Sequence, residues 1–81
     1  MFARIPSPSA LRTFEAAARL GSFKAAAKEL SVTPTAVSHQ IRTLEEHLEI
    51  PLFVRRTRAV ALTESGQRLS EAVHQAFQRI M

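Results

Sequence analysis

The chain of 81 residues contains no cysteine, only two glycines and no apolar run of membrane-spanning length. Without cysteine, neither disulfides nor cysteine metal sites can support the fold, so apolar side chains alone must form the core. Two glycines are too few for a glycine-rich phosphate loop. The N-terminus lacks the basic-then-apolar order of a signal peptide, and we therefore expect a cytoplasmic protein that does not associate with a membrane.

The composition is typical of one small globular domain. Hydrophobic residues make up 46% of the chain and charged residues 22%, which argues against disorder. This length is near the lower limit for a domain without metals or disulfides. The leucines, valines, isoleucines and five phenylalanines must therefore supply the core.

The charges are unevenly distributed. Eleven basic residues, nine of them arginines, stand against seven acidic ones, giving a net charge of +4 and a pI of 11.2. No acidic residue occurs from Leu30 to Leu44, whereas Glu45, Glu46 and Glu49 follow at once. Carboxylates stabilise helix N-termini and destabilise helix C-termini, so this order opposes helix stability alone. It favours contact between the acid-free stretch and a polyanion, of which DNA is the obvious example.

Two short segments with helical periodicity meet at residues 31–33. Their apolar positions recur at i, i+3, i+4 and i+7, namely Phe23, Ala26, Ala27 and Leu30 in the first and Val37, Ile41, Leu44 and Leu48 in the second. Thr33 is a good N-cap, and Pro34 suits the first position of a helix. The pattern predicts a helix-turn-helix whose second helix presents the outer stripe Thr35, Ser38, His39 and Arg42.

Further elements flank this motif. A first helix should begin around residues 7–9 and end before Gly21, and Ser22 should cap the helix from Phe23 to Leu30. Capping alone and an added phosphate contact are equally open for Ser22. After Pro51, short β-compatible runs at residues 53–54 and 60–62 predict a two-stranded wing. Its arginines are Arg55, Arg56 and Arg58, which we expect on the DNA backbone or in the minor groove, with a solvated basic loop as the alternative.

The last segment predicts a long helix from about Glu64 onward. Its apolar stripe has no evident core left to cover, which predicts a homodimer formed through this helix. The residues expected to contact the partner are Leu69, Val73, Ala76, Phe77 and Ile80.

The stretch from Ser22 to Gly66 resembles the DNA-binding domain of the LysR-type transcriptional regulators. The matching residues are Ser22-Phe23, Ala26-Ala27 and Leu30; Ala36-Val37-Ser38, Ile41 and Leu44-Glu45; Leu52-Phe53, Arg55 and Arg58; and Leu62-Thr63 and Gly66. The residues Val32-Thr33-Pro34 and Ser38-His39-Gln40 look closest to the glycine-cleavage activator subgroup. Pro51 stands near a common glycine of the family, and Ser65 replaces a common alanine. The resemblance implies a bacterial regulator with paired linker helices, whose effector-binding domain is expected to be absent from this chain.

Enzymatic and metal chemistry find little support in the sequence. His39 and His47 diverge around their helix, and His74 has no second ligand at i+3 or i+4. No nucleophile stands at a plausible spacing from a base. We therefore expect no enzyme, no catalytic residue, no metal and no cofactor. Two other functions remain open, a protein-interaction or assembly module and a nonspecific nucleic-acid-binding protein.

The predicted fold is an all-α winged helix-turn-helix, with a three-helix core, a two-stranded wing and a long C-terminal linker helix. Residues 6–63 should form the DNA-binding domain, with the helix-turn-helix at about 23–42 and the wing at about 52–62, and residues 64–81 the linker and dimerisation helix. The expected function is sequence-specific binding to an inverted repeat in double-stranded DNA. The predicted DNA-binding residues are Ser22, Thr33, Pro34, Thr35, Ser38, His39, Arg42, Arg55, Arg56 and Arg58.

Overall fold

The computed structural model describes residues 7–56 and 59–80. These residues form α1 (Pro8–Leu20), α2 (Phe23–Leu30), α3 (Pro34–Leu48), β1 (Phe53–Arg55), β2 (Val60–Leu62) and α4 (Glu64–Ile80). The two strands pair antiparallel. The predicted winged helix-turn-helix is therefore confirmed. Arg58 and the outer limits of the predicted domains, residues 6 and 81, lie outside the described residues.

Hydroxyl side chains set the starts of the first three helices, as predicted. Each accepts a hydrogen bond from the backbone N–H three residues later: Ser7 from Ala10, Ser22 from Ala25 and Thr33 from Ala36, at 3.0–3.1 Å. Each of these helices ends at a residue with left-handed φ: Gly21 at 64°, Ser31 at 59° and Glu49 at 60°. Only the first of these residues is a glycine, which adopts such a φ without steric cost.

The core lies where α1, α2 and α3 meet. Its largest fully buried side chains are Phe14, Val37, Ile41, Leu44 and Leu52. Pairs of buried alanines, at positions 16–17 and 26–27, allow the helices to approach closely. In α1, residues 16 and 17 are buried beside Phe14, and Leu11 and Ala18 are half-buried and pack against this core.

An aromatic column connects this core to the wing. The ring centroid of Phe53 in β1 lies 5.5 Å from that of Phe14 and 5.2 Å from that of Phe23, the latter pair edge to face. The guanidinium carbon of Arg55 lies 5.1 Å from the centroid of the Phe23 ring, within range of a cation–π interaction. The column therefore fixes β1 against both α1 and α2.

Glu45 attaches the wing to α3. Its carboxylate accepts hydrogen bonds from the backbone N–H groups of Leu52, at 2.7 Å, and Phe53, at 3.2 Å. The wing is closed on its other side by a bond from the N–H of Thr63 to the carbonyl of Leu52, at 3.0 Å. Glu45, near the C-terminal end of α3, thus has a structural role that the charge argument from sequence did not predict. Its position says nothing about where a polyanion binds.

Arg19 of α1 contacts Glu15 of the same helix and Glu29 of α2. Its Nε donates to Glu15 at 2.9 Å, and its Nη1 donates to Glu29 at 3.2 Å. These hydrogen bonds raise the pKa of the Arg19 guanidinium and lower the pKa of the Glu29 carboxyl. Because the groups are exposed, the pairs contribute little stability. Their consequence is that Glu29 engages α1.

The structure corrects the interpretation of α4. Val73 belongs to the core, with 5% of its surface exposed, and Leu69 and Phe77 pack against that core. The stripe therefore does have a core to cover, and the expectation that it lies free for a partner is wrong for these residues. Ala76 and Ile80 remain exposed. Within the described residues, no helix combines the length and hydropathy needed to cross a membrane.

We predict that Glu45→Ala lowers the free energy of unfolding by about 1–3 kcal/mol, because two backbone N–H groups lose a charged acceptor. Glu45→Gln, which keeps one carbonyl acceptor, should lose less. Glu46→Ala, at an exposed neighbouring position, serves as the control. Urea unfolding followed by circular dichroism measures all three variants. Equal stabilities for the Glu45→Ala and Glu46→Ala variants would contradict the role assigned to Glu45.

Gly66→Ala should destabilise the domain. A Cβ at this buried position in α4 would lie 2.1 Å from the carbonyl oxygen of Leu52 and 3.0 Å from a methyl carbon of Leu62. The clash involves backbone and should outweigh the gain in helix propensity, for a net loss of about 1–3 kcal/mol. Gln67→Ala, one residue further on an exposed site, is the control. Thermal unfolding of both variants tests this, and an unchanged midpoint for Gly66→Ala would refute the close contact.

Candidate nucleic-acid interface

The outer face of α3 carries the polar stripe predicted from the sequence. Thr35, His39 and Arg42 are exposed and Ser38 is half-buried. The opposite face is anchored in the core, so the orientation of the stripe is fixed by packing. Thr33 and Pro34 lie exposed at the N-terminal end of the same helix. The structure thus brings all six predicted residues of this segment to one end and one face of α3.

The structure extends β1 one residue beyond the β-compatible run predicted at 53–54. Arg55 therefore belongs to β1 and is paired with Val60. Its Nη2 donates to the hydroxyl of Ser38, at 2.8 Å. Arg56 is exposed, and its backbone N–H donates to the carbonyl of Ala59 at 2.8 Å. The contact of Arg55 with α3 makes the wing and the helix one surface.

A cleft separates the wing from the start of α2. Ser22, Phe23 and Lys24 line one side, and Arg55, Arg56, Ala59 and Val60 line the other. Ser22 acts as the N-cap, and its backbone carbonyl accepts from Ala26. A helix N-terminus with basic side chains around it suits a phosphate group. The cap role of Ser22 is therefore observed, and its geometry is compatible with the phosphate role.

Two lysines extend the basic surface in a way that sequence reasoning missed. Lys24 and Lys28 are exposed on α2 and line a groove together with Val32 and Pro34. Like charges four residues apart repel on a helix surface. The four-residue spacing of Lys24 and Lys28 could therefore have indicated a binding role from the sequence alone. The only acid in α2, Glu29, is held by Arg19 on α1. The groove therefore presents positive charge beside the N-terminus of α3.

The described part of the chain contains no candidate metal site. Within residues 7–56 and 59–80, no group of three or more histidine, cysteine, aspartate or glutamate side chains could hold a metal ion. His39 lies exposed on the outer face of α3 among groups that donate and accept hydrogen bonds. What the arrangement offers is a rigid basic surface with hydroxyl, imidazole and guanidinium groups.

The chain matches known proteins over most of its length. Residues 8–67 match the profile of the family described as bacterial regulatory helix-turn-helix protein, lysR family. The regulator TrpI of Pseudomonas aeruginosa is 54% identical over 94% of this chain and 26% of its own length. The glycine cleavage system transcriptional activator of Escherichia coli is 49% identical over 99% of this chain and 26% of its own length. The glycine-cleavage activator subgroup is therefore among the similar proteins, although TrpI shares more identical residues with this chain.

Solved structures give the same result. The CbnR_DBD–DNA complex superposes with a TM-score of 0.83 at 30% identity, over 89% of this chain and 83% of that one. The complex of BenM_DBD with catB site 1 DNA gives a TM-score of 0.84 at 32% identity, over 89% and 80%. The chain spans about a quarter of the length of the curated relatives it matches. It belongs to the LysR family of bacterial regulatory helix-turn-helix proteins.

Proposed function

We propose that this domain binds double-stranded DNA sequence-specifically, as the DNA-binding part of a bacterial transcription regulator in the cytoplasm. The observation that carries the proposal is the outer face of α3, which is polar and free of carboxylates from Pro34 to Leu44. An α-helix with such a face fits the major groove, where each base pair presents its own pattern of donors and acceptors. Two solved structures with this fold, at 30% and 32% identity, are complexes with DNA, which supports the proposal.

The residues divide into two roles. Base edges are assigned to the N-terminal half of α3, through Thr33, Pro34, Thr35, Ser38, His39 and Arg42. Phosphates and the minor groove are assigned to Ser22 and to the wing residues Arg55, Arg56 and Arg58. Arg42 can make a forked pair with guanine, whereas the exposed Arg56 of the wing is available to a flanking phosphate. We add Lys24 and Lys28 to the phosphate group, because they line the groove that continues from the start of α3.

Two other functions give different experimental results. A nonspecific nucleic-acid-binding protein would bind a selected and a scrambled duplex equally. An assembly module would keep its DNA affinity unchanged when the outer stripe of α3 is substituted. Competition binding at physiological salt, with a duplex selected by the protein from a random-sequence pool, separates both from the proposed function. A clear preference for the selected duplex supports our proposal.

We also propose that two copies pair through α4. The exposed apolar line on this helix consists of Ala72, Ala76 and Ile80, which recur every four residues. Small side chains permit close approach of a second helix, and 80% of the Ile80 surface is exposed. Leu69 and Phe77 are half-buried against the core and border this line. Pairing should bury roughly several hundred Å², enough for a weak dimer that becomes stronger on an inverted repeat.

Substitutions on α3 and on the wing should have distinguishable effects. His39→Ala and Arg42→Ala should relax the preference at particular base pairs by about 1–3 kcal/mol for each lost base contact. Arg56→Ala should weaken the selected and scrambled duplexes equally and reduce the salt slope by about one unit. Fluorescence anisotropy titrations of both duplexes over a salt series measure this. Indistinguishable behaviour of the two groups of variants would refute the division of roles.

The dimer is tested with charges on the exposed line of α4. Ala76→Glu with Ile80→Glu should abolish cooperative loading of two copies on an inverted repeat, because like charges would face each other. Gln67→Glu with Gln78→Glu adds the same charge at other exposed positions of α4 and should load normally. Val73 is unsuitable for this test, since its substitution would disrupt the core. Sedimentation of the complexes gives the stoichiometry, and cooperative loading by both double variants would disprove this interface.

A further inference from the structure

Ser38 and Arg55 form a contact that the proposed function leaves unexplained. Nη2 of Arg55 donates to Oγ of Ser38 at 2.8 Å, across 17 residues of sequence. Ser38 lies half-buried on α3, on the stripe assigned to base edges. Arg55 lies at the end of β1, assigned to phosphate. The two side chains were expected to act separately, and the structure connects them.

The ring of Phe23 restricts the orientation of the Arg55 guanidinium. Its guanidinium lies over the ring of Phe23, 5.1 Å from the centroid, and that ring stands edge to face with Phe53 at 5.2 Å. A planar guanidinium stacks on an aromatic face in a way that an ammonium group does not reproduce. The ring therefore limits the directions in which the Arg55 donors can point, and one of them points at Ser38.

The contact restricts what the Ser38 hydroxyl can do. A free serine hydroxyl has one hydrogen and two acceptor lone pairs, and it rotates to donate or accept as its partner requires. The Arg55 guanidinium has only donors, so Oγ must serve as the acceptor in this pair. The hydroxyl hydrogen then points away from Arg55, and the nearby cation makes the oxygen a poorer acceptor for a second donor.

We propose that Arg55 is a positioning residue that makes Ser38 a hydrogen-bond donor toward DNA. The inference rests on the proposed function. Its ligand is an acceptor atom on a base edge, namely N7 or O6 of a purine or O4 of thymine. Amino groups of adenine and cytosine are disfavoured opposite Ser38. Arg55 thereby affects sequence preference through Ser38.

The first experiment is a double-mutant cycle on the selected and scrambled duplexes. Ser38→Ala should reduce the ratio of the two affinities by about tenfold, as loss of one base-edge contact does. Arg55→Lys keeps the charge but not the planar stack, and it should reduce the ratio by a similar factor. The double variant should lose no more than either single variant, because one contact is removed only once. Arg56→Lys, a wing arginine without the Ser38 contact, is the matched control and should shift both affinities together.

The second experiment identifies the acceptor. Purines of the selected duplex are replaced one at a time by 7-deazapurines, guanines by 2-aminopurine and thymines by 4-thiothymine. Each phosphate is replaced in turn by a methylphosphonate. One substitution should weaken wild-type binding and leave binding by the Ser38→Ala variant unchanged. A base analogue with this effect identifies the base-edge acceptor, whereas a methylphosphonate with this effect would place the acceptor on a phosphate and overturn the proposal.

Several outcomes would overturn the inference. Additive losses in the cycle would mean that Arg55 and Ser38 contact DNA independently, and an Arg55→Lys variant that behaves like Arg56→Lys would mean that only its charge matters. If the Arg55→Lys variant fails to fold, the analogue series still decides. The donor role is refuted if every analogue that weakens wild-type binding also weakens binding by the Ser38→Ala variant. If the wild-type domain shows no preference for any duplex, the proposed function itself fails.

Discussion

The packing of the Phe53 ring between Phe14 and Phe23 is the interaction on which the rest of the structure depends. Phe14 anchors it in the core of α1, and Phe23 carries it to the surface at the start of α2. Arg55 then extends the column by one cation and reaches Ser38 on α3. The packing thereby connects α1, α2, α3 and β1 in a domain with no disulfide. A surface that reads DNA needs this rigidity, because small displacements would misalign its hydrogen bonds with the base edges.

The charge pattern has two physical origins. The acid-free stretch that includes the first part of α3 leaves a surface suited to a polyanion, and the lysines of α2 add to it. The carboxylates on either side of that stretch have structural partners: Glu29 is hydrogen-bonded to Arg19, and Glu45 accepts from the backbone of the wing. Fold stability and the proposed binding surface are thus compatible, because these two acids engage protein groups.

The helix α4 serves both the core and the proposed dimer. Val73 closes the core, while Ala76 and Ile80 face outward. The buried and exposed faces of α4 lie only about one residue position apart around the helix. The apolar stripe in the sequence therefore does not distinguish core residues from those that face outward. A half-buried residue such as Phe77 can contribute to both, and the folded domain and the proposed dimer are then coupled through a single helix.

The sequence by itself determined the helices, their caps, the wing and the polar stripe of α3, because hydrogen-bonding caps and the 3.6-residue repeat are local properties. The arrangement of these elements in one fold was predicted from the family resemblance. Only the tertiary structure decided that Glu45 anchors the wing, that Val73 is core and that Arg55 meets Ser38. Each of these facts depends on a contact between segments far apart in the chain, and no local pattern encodes which side chain a folded partner will bring within 3 Å.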